Sequence, residues 1–200
     1  MVWLILALLL WGIIHSLLAS LKAKELVLRW AGAGVLRFYR LFYNAFAILS
    51  FVPILVIVAL TKSATLYTVP FPWSYLMILG EFLAIIVLGL GLLQTDPWEF
   101  IGLSQLGNAS KQARLNTAGL YRYVRHPLYV AGLVFIWLVP HMTVTLCVFN
   151  IALTIYIIIG AFFEERKLRY EFGQEYIDYA AATPMLIPFT KRKKLPALHN

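Results

Sequence analysis

Residues 127–163, PLYVAGLVFIWLVPHMTVTLCVFNIALTIYIIIGAFF, form a long apolar run interrupted at Pro140-His141. A helix rises about 1.5 Å per residue, so about 20 residues cross a hydrocarbon core of about 30 Å. This run is too long for one such crossing. Lipid offers no partner to free backbone groups, so the break at Pro140 predicts a tight helix–turn–helix hairpin, its first arm short or oblique.

Three further apolar runs lie upstream, at residues 2–21, 38–60 and 73–93, the second carrying Pro53 as a tolerated kink. Together they predict an all-α polytopic membrane protein with about five transmembrane helices. The chain is 62% hydrophobic and 13% charged, too little polar surface for a soluble globule of 200 residues. We expect a single membrane domain, residues 1–200. Residues 1–95 supply three spans, residues 96–190 the hairpin with cytoplasmic helices, and residues 191–200 a basic tail. The first run lacks a basic leader and a small-residue cleavage site, so it is expected to be retained as a span.

The net charge of +8 could suggest a nucleic-acid partner, but the basic residues sit in short clusters beside the apolar spans. That is the pattern of topology signals. In a five-span arrangement sixteen Lys and Arg fall on one side and Lys62 alone on the other. The positive side faces the cytoplasm, which places the N-terminus outside and the C-terminus inside, in the inner membrane of a prokaryote. The Lys191-Arg192-Lys193-Lys194 run reads as a topology and anionic-lipid anchor.

Two cytoplasmic segments are more than connectors. Residues 96–116 carry Trp98, Phe100, Ile101, Leu103 and Leu106, a mix suited to lying at the interface. Residues 164–182 mix acids, bases and aromatics at helical spacing, with Gly173 marking a break or a close contact.

The densest polar constellation is Gly119-Leu-Tyr-Arg-Tyr-Val-Arg125-His126-Pro127-Leu-Tyr129, where a cytoplasmic loop enters the fourth span. Pro127 suits the first helical position, because its missing N–H is a donor that a helix start leaves unused. The neighbouring donors and the positive dipole end favour an anion, and Arg125 and His126 add charge. Topology anchors and an interfacial tyrosine belt would account for the same residues. Glu164-Glu165 lies at the cytoplasmic end of the fifth span. Adjacent carboxylates at a membrane boundary repel and lose hydration, so they need partners: an ion pair capping the helix, or a polar pocket for a zwitterionic cofactor. Within the spans, His15, Ser16, Tyr43, Asn44 and Glu81 are candidates for function or for structural hydrogen bonds.

Several classes are excluded. The single Cys147 rules out an intrachain disulfide and a cysteine cage, and the four histidines form no local ligand pair. No glycine-rich phosphate loop is evident, and the composition excludes a soluble Rossmann-type methyltransferase.

Taken together, Thr117-Ala-Gly-Leu-Tyr-Arg-Tyr-Val-Arg-His-Pro-Leu-Tyr129, Glu164-Glu165 and Phe172-Gly-Gln-Glu-Tyr176 through Tyr179 to Pro184 and Pro188 resemble the integral-membrane methyltransferases. That superfamily includes isoprenylcysteine carboxyl methyltransferase and phospholipid methyltransferases. His15-Ser-Leu-Leu-Ala19, Tyr39-Arg-Leu-Phe-Tyr-Asn44 and Phe100-Ile-Gly-Leu-Ser-Gln-Leu106 are similar to the methanethiol S-methyltransferase and NnrU-type branch. The resemblance implies S-adenosylmethionine (SAM) at the cytoplasmic end of the hairpin. His126, Pro127, Tyr129 and the backbone near Gly132 would hold it, Glu164 and Glu165 would meet its amino or ribose groups or orient Arg125, and Tyr121 would close the loop. A thiol acceptor must first lose a proton, which predicts a base; His15, helped by Tyr43 or Asn44, is the expectation, with Arg125 also in the catalytic set. The acceptor that the resemblance implies is a small, methanethiol-like thiol, with a lipophilic thiol or carboxylate as the wider class. A carboxyl or lipid methyltransferase of the isoprenylcysteine type, a sterol reductase using a nicotinamide cofactor, and a non-catalytic NnrU-like membrane accessory protein are the competing readings.

Overall fold

A computed structural model of the chain describes residues 1–95, 97–104 and 114–190. The expected basic tail, and most of the expected interfacial stretch after Ser104, lie outside the described residues. Among the described residues, four helices are long and apolar enough to cross a membrane: α1 (Val2–Ala19), α4 (Tyr39–Leu60), α5 (Trp73–Gln94) and α8 (Val144–Phe172). Each holds an apolar run matched to bilayer thickness, with Arg40 in the first turn of α4, Glu81 within α5 and a charged extension at the end of α8. Between them lie α2 (Leu21–Ala31), α3 (Ala33–Leu36), α6 (Pro97–Ile101), a 3-10 turn at Gly119–Arg122, α7 (Pro127–Trp137) and, last, α9 (Gln174–Ala182). The protein is thus an all-α polytopic membrane protein.

The hairpin is built differently from the expectation. Two short antiparallel strands occur, β1 (Thr65–Thr68) and β2 (His141–Thr143), so the chain passes from α7 to α8 through a strand instead of a tight turn. Strand pairing satisfies the backbone groups that the break at Pro140 frees, which a bare turn would leave open. At its 11 residues α7 would span only about 16 Å. The missing length is made up by extended chain, since the Pro140 carbonyl accepts a hydrogen bond from the Val69 N–H just before α5 begins, at 2.8 Å.

The chain divides into two compact units. The first contains residues 1–68, 96–112 and 141–153. Its core is Leu4, Leu8, Ile54 and Phe149, with Trp11 and Phe51 packed against it. Apolar packing alone does not hold helices together in lipid, where side chains and tails are equally apolar, so polar clasps matter. Trp11 Nε1 donates to Ser50 Oγ at 3.0 Å, and the Tyr39 hydroxyl donates to the Leu18 carbonyl at 2.6 Å, each joining α1 to α4. Gly102 has φ 102, and a Cβ there would come within 2.8 Å of the Leu41 backbone nitrogen. Only glycine suits that close approach of the α6 end to α4.

The second unit contains residues 69–95, 113–140 and 154–200. There α5 and α7 pack antiparallel through glycines, Gly80 receiving the Leu138 side chain and Gly91 that of Leu128. Small residues at a helix interface in lipid let the backbones close. The apolar part of α8 ends near Phe163, and its last turns carry charge through Arg169. Gly173, with φ 56, then breaks the helix and starts α9.

A Cβ at Gly91 would lie 2.8 Å from Leu128 Cδ2, the mobile end of a side chain. Gly91→Ala is therefore expected to melt with the unmodified protein in detergent. Gly91→Leu should lose about 1–3 kcal/mol to overpacking and melt earlier. Equal melting of the two variants would contradict the packing.

Candidate functional site

Glu165 lies on α8 where its charged end begins, only 4% exposed. A buried carboxylate must be neutralised and fully hydrogen-bonded, and this one is. Arg125 grips it in bidentate fashion, Nε donating to Oε1 at 2.7 Å and Nη2 to Oε2 at 2.8 Å. The Oε1 atom also meets His126 Nε2 at 2.9 Å and accepts from the Tyr176 hydroxyl at 2.7 Å. Because an ionised carboxylate only accepts, the hydrogen of His126 sits on Nε2.

The rest of the Arg125 fork binds the chain after α9: Nη1 donates to the carbonyls of Ala180 and Thr183. The backbone N–H groups of Arg125 and His126 donate to the carbonyls of Pro184 and Met185. One side chain therefore ties the loop before α7, the end of α8 and the segment after α9 into one block. The Tyr179 hydroxyl adds a bond to the Tyr121 carbonyl at 2.6 Å. Burial pushes Tyr176 and Tyr179 well above the usual phenol range, so both remain donors.

Glu164, the next residue, has a different environment. Its side chain is 43% exposed, and its Oε2 accepts from the Tyr129 hydroxyl at 2.7 Å, with His126 Nδ1 at 3.6 Å. The His126 and Tyr129 rings stack at 5.2 Å, nearly parallel. Burial, with the nearby Glu164 charge, pushes the Tyr121 phenol up to about 12, so it stays neutral. Pro127 opens α7 at its first helical position. Gly132 follows Tyr129 by one turn, Gly160 precedes Glu164 by one turn, and a Cβ at either would meet nothing within 4 Å.

In the first unit, His15 Nε2 lies 2.6 Å from the Tyr43 hydroxyl, and the imidazole stacks on Trp11 at 4.7 Å. Asn44 Nδ2 donates to the Ile101 carbonyl at 2.9 Å, closing the end of α6. Thus His15 and Tyr43 meet, Asn44 is engaged with α6, and Arg125, His126, Tyr129, Glu164 and Glu165 form a separate cluster in the second unit. Among the described residues no group of three His, Cys, Asp or Glu is placed to hold a metal ion.

Four partners were not assigned to the site from the sequence. Tyr176 and Tyr179 stood out as aromatics of an amphipathic helix and as part of the terminal motif of the resemblance, without a role, although their spacing of three puts them on one face. Thr183 offers only its carbonyl, which no side-chain pattern reveals. Gln94 ends α5 and caps the loop, its backbone carbonyl accepting from Asn116 Nδ2 at 2.8 Å and its Oε1 from the Leu120 N–H at 3.0 Å.

Comparison with known proteins finds relatives over part of the chain and a family over most of it. A methanethiol S-methyltransferase of Crocosphaera subtropica is 42% identical over 80 residues, covering 40% of this chain and 31% of the relative. Methanethiol S-methyltransferase 1 of Bradyrhizobium diazoefficiens is 40% identical over 101 residues, 48% of this chain and 35% of the relative. A methanethiol S-methyltransferase of a Pseudomonas species is 34% identical over 138 residues, 64% of this chain and 52% of the relative. The matches thus span between 31% and 52% of these relatives' own length. No solved structure matches the chain. The profile of the NnrU protein family matches residues 3–187, which takes in both units and every helix described above, and the chain belongs to that family.

Proposed function

We propose that this protein is an integral-membrane methyltransferase that moves a methyl group from SAM to a small thiol of the methanethiol class. Its N-terminus would lie outside and its C-terminus in the cytoplasm of a prokaryotic inner membrane, the sidedness that the basic residues favour. One observation carries the reading: of two adjacent carboxylates, Glu165 is saturated by donors while Glu164 keeps acceptor capacity and solvent access. A half-exposed carboxylate beside an aromatic pair suits a cationic ligand. The open space at Gly132 and Gly160 leaves room beside it. The residues present therefore fit SAM. Glu164 and the Tyr129 hydroxyl would bind its ammonium or ribose groups, with Gly132 and Tyr121 nearby. His126, Pro127 and Glu165 would hold that surface in place.

When bound, SAM supplies an electrophilic sulfonium methyl. This chain has to orient the acceptor, exclude water and take a proton, because the thiolate and not the thiol is the nucleophile. The proposed proton acceptor is His15, with the Tyr43 hydroxyl on its Nε2 and Asn44 fixing the neighbouring backbone. The proton then passes to solvent. Arg125, with its guanidinium committed to Glu165 and two carbonyls, is a positioning residue in this scheme.

The NnrU family match also supports a second reading, a membrane accessory protein without catalysis. Calorimetric titration with SAM in nanodiscs separates the two, and an absence of saturable binding would favour the accessory role. A labelled-methyl assay with methanethiol follows where binding is found.

Three outcomes are expected. Glu164→Gln keeps the melting temperature and weakens SAM binding roughly ten- to a hundredfold, the loss of one charge-assisted hydrogen bond. Glu165→Ala instead loses about 3–5 kcal/mol of stability, since it strands a buried guanidinium. Equal stability losses in the two variants would refute the division of roles. His15→Ala lowers kcat/KM for the thiol by roughly 10²–10⁴ and leaves SAM affinity intact. Full thiol methylation by that variant from about pH 6 to about pH 9, across the ordinary histidine range, would remove His15 from the scheme.

A further inference from the structure

The short helix α2 has a feature that membrane insertion of its neighbours does not explain. None of its 11 residues is buried. Isolated helices of this length are marginal in water even with favourable sequences. Its two junctions are nonetheless well defined. Ser20 joins α1 to α2 in an extended conformation, its hydroxyl donating to the Leu17 carbonyl at 2.6 Å and accepting from the Ala23 N–H at 3.2 Å. At the other end Gly32, with φ 77, stops the helix. A helix capped at both ends, with Ala23, Lys24 and Val27 only half-buried and the rest of its surface open among the described residues, gains little from packing within the chain.

Its sequence identifies what else supports it. On the helix LKAKELVLRWA, Leu26, Trp30, Ala23 and Val27 share one face, and Lys22, Glu25 and Arg29 share another. The apolar face is open, Trp30 being 84% exposed and Leu26 58%. Three cations stand against one acid, Glu25, and Arg37 and Arg40 follow. At 18 residues α1 is long and apolar enough to cross the membrane and ends at Ala19, so α2 begins where the hydrocarbon ends. An amphipathic helix at that depth buries its apolar face at the acyl boundary and places its cations among the headgroups. A tryptophan on the apolar side prefers that depth.

We infer that α2 lies on the bilayer surface and docks on anionic phospholipid headgroups, through Lys22 and Arg29 with Leu26 and Trp30 as its apolar anchor. Neither residue pair belongs to the candidate site, so the interaction stands apart from cofactor binding.

Hydrogen exchange of the full chain in nanodiscs tests this. Discs of phosphatidylcholine alone are compared with discs carrying about three parts in ten phosphatidylglycerol, a content that gives the surface a negative potential. Amides of residues 21–31 should be more protected in the anionic discs, by roughly tenfold or more, as about 1 kcal/mol per basic residue implies. The double variant Lys22→Gln/Arg29→Gln should lose that difference, and so should salt at about 0.5 M, where the Debye length is shorter than the headgroup layer. Trp30→Ser should lower protection in both kinds of disc. SAM affinity should stay unchanged throughout, which keeps this test separate from the functional reading. Equal protection in the two discs, unchanged in the double variant, would overturn the inference. Protection that rises with protein concentration instead would give the face to a second copy and overturn it as well.

Discussion

The second unit depends on one constraint: the Glu165 carboxylate is out of water, and its charge must be met by donors from other segments. Arg125 and His126 come from the loop before α7, and Tyr176 comes from α9. The donors come from two stretches of chain besides α8 itself, so the hydrogen-bonding demand of one carboxylate fixes the meeting point of three. Buried ion pairs add little net stability, yet they penalise every arrangement that leaves a charge unmet. Here that penalty selects one way of joining the loop, α8 and α9.

Lipid imposes a complementary constraint on the spans. Helices in a bilayer gain little from burying apolar side chains against each other, so close packing and scattered hydrogen bonds must hold them. Both units show this. In the first, Trp11, Tyr39 and Asn44 reach across to partners on other elements. In the second, Gly80 and Gly91 let α5 and α7 approach. The strand pair serves the same end, since it satisfies the backbone where α7 stops short of a full crossing.

The long spans were legible because hydrophobic runs of bilayer length have few competing explanations. Gly173 as a break and Pro127 as a helix start were legible because each residue has a narrow conformational repertoire. The β1–β2 pair was not, because Thr65–Thr68 and His141–Thr143 are too short for a periodicity to show. The site was legible in part. Motif resemblance put Arg125, His126, Tyr129, Glu164 and Glu165 on one list, but it could not divide their labour. Backbone acceptors such as those of Ala180, Thr183 and Tyr121 carry no side-chain signature, so the segment after α9 could not be read as part of the block.

The division between the two carboxylates follows from helix geometry. Successive residues on an α-helix point about 100° apart, so an adjacent acid pair cannot turn both side chains to the same partner. With Glu165 directed at Arg125, His126 and Tyr176, Glu164 is turned toward Tyr129 and the more exposed side. His126 lies between them, Nε2 on Glu165 and Nδ1 toward Glu164. The buried network reaches the exposed carboxylate through the His126 ring stacked on Tyr129, whose hydroxyl donates to Glu164. Repulsion between the two acids is relieved because Arg125, with Arg169 at 3.9 Å, is directed at Glu165. Glu164 keeps the exposed carboxylate, which is where the proposed cationic ligand would be met.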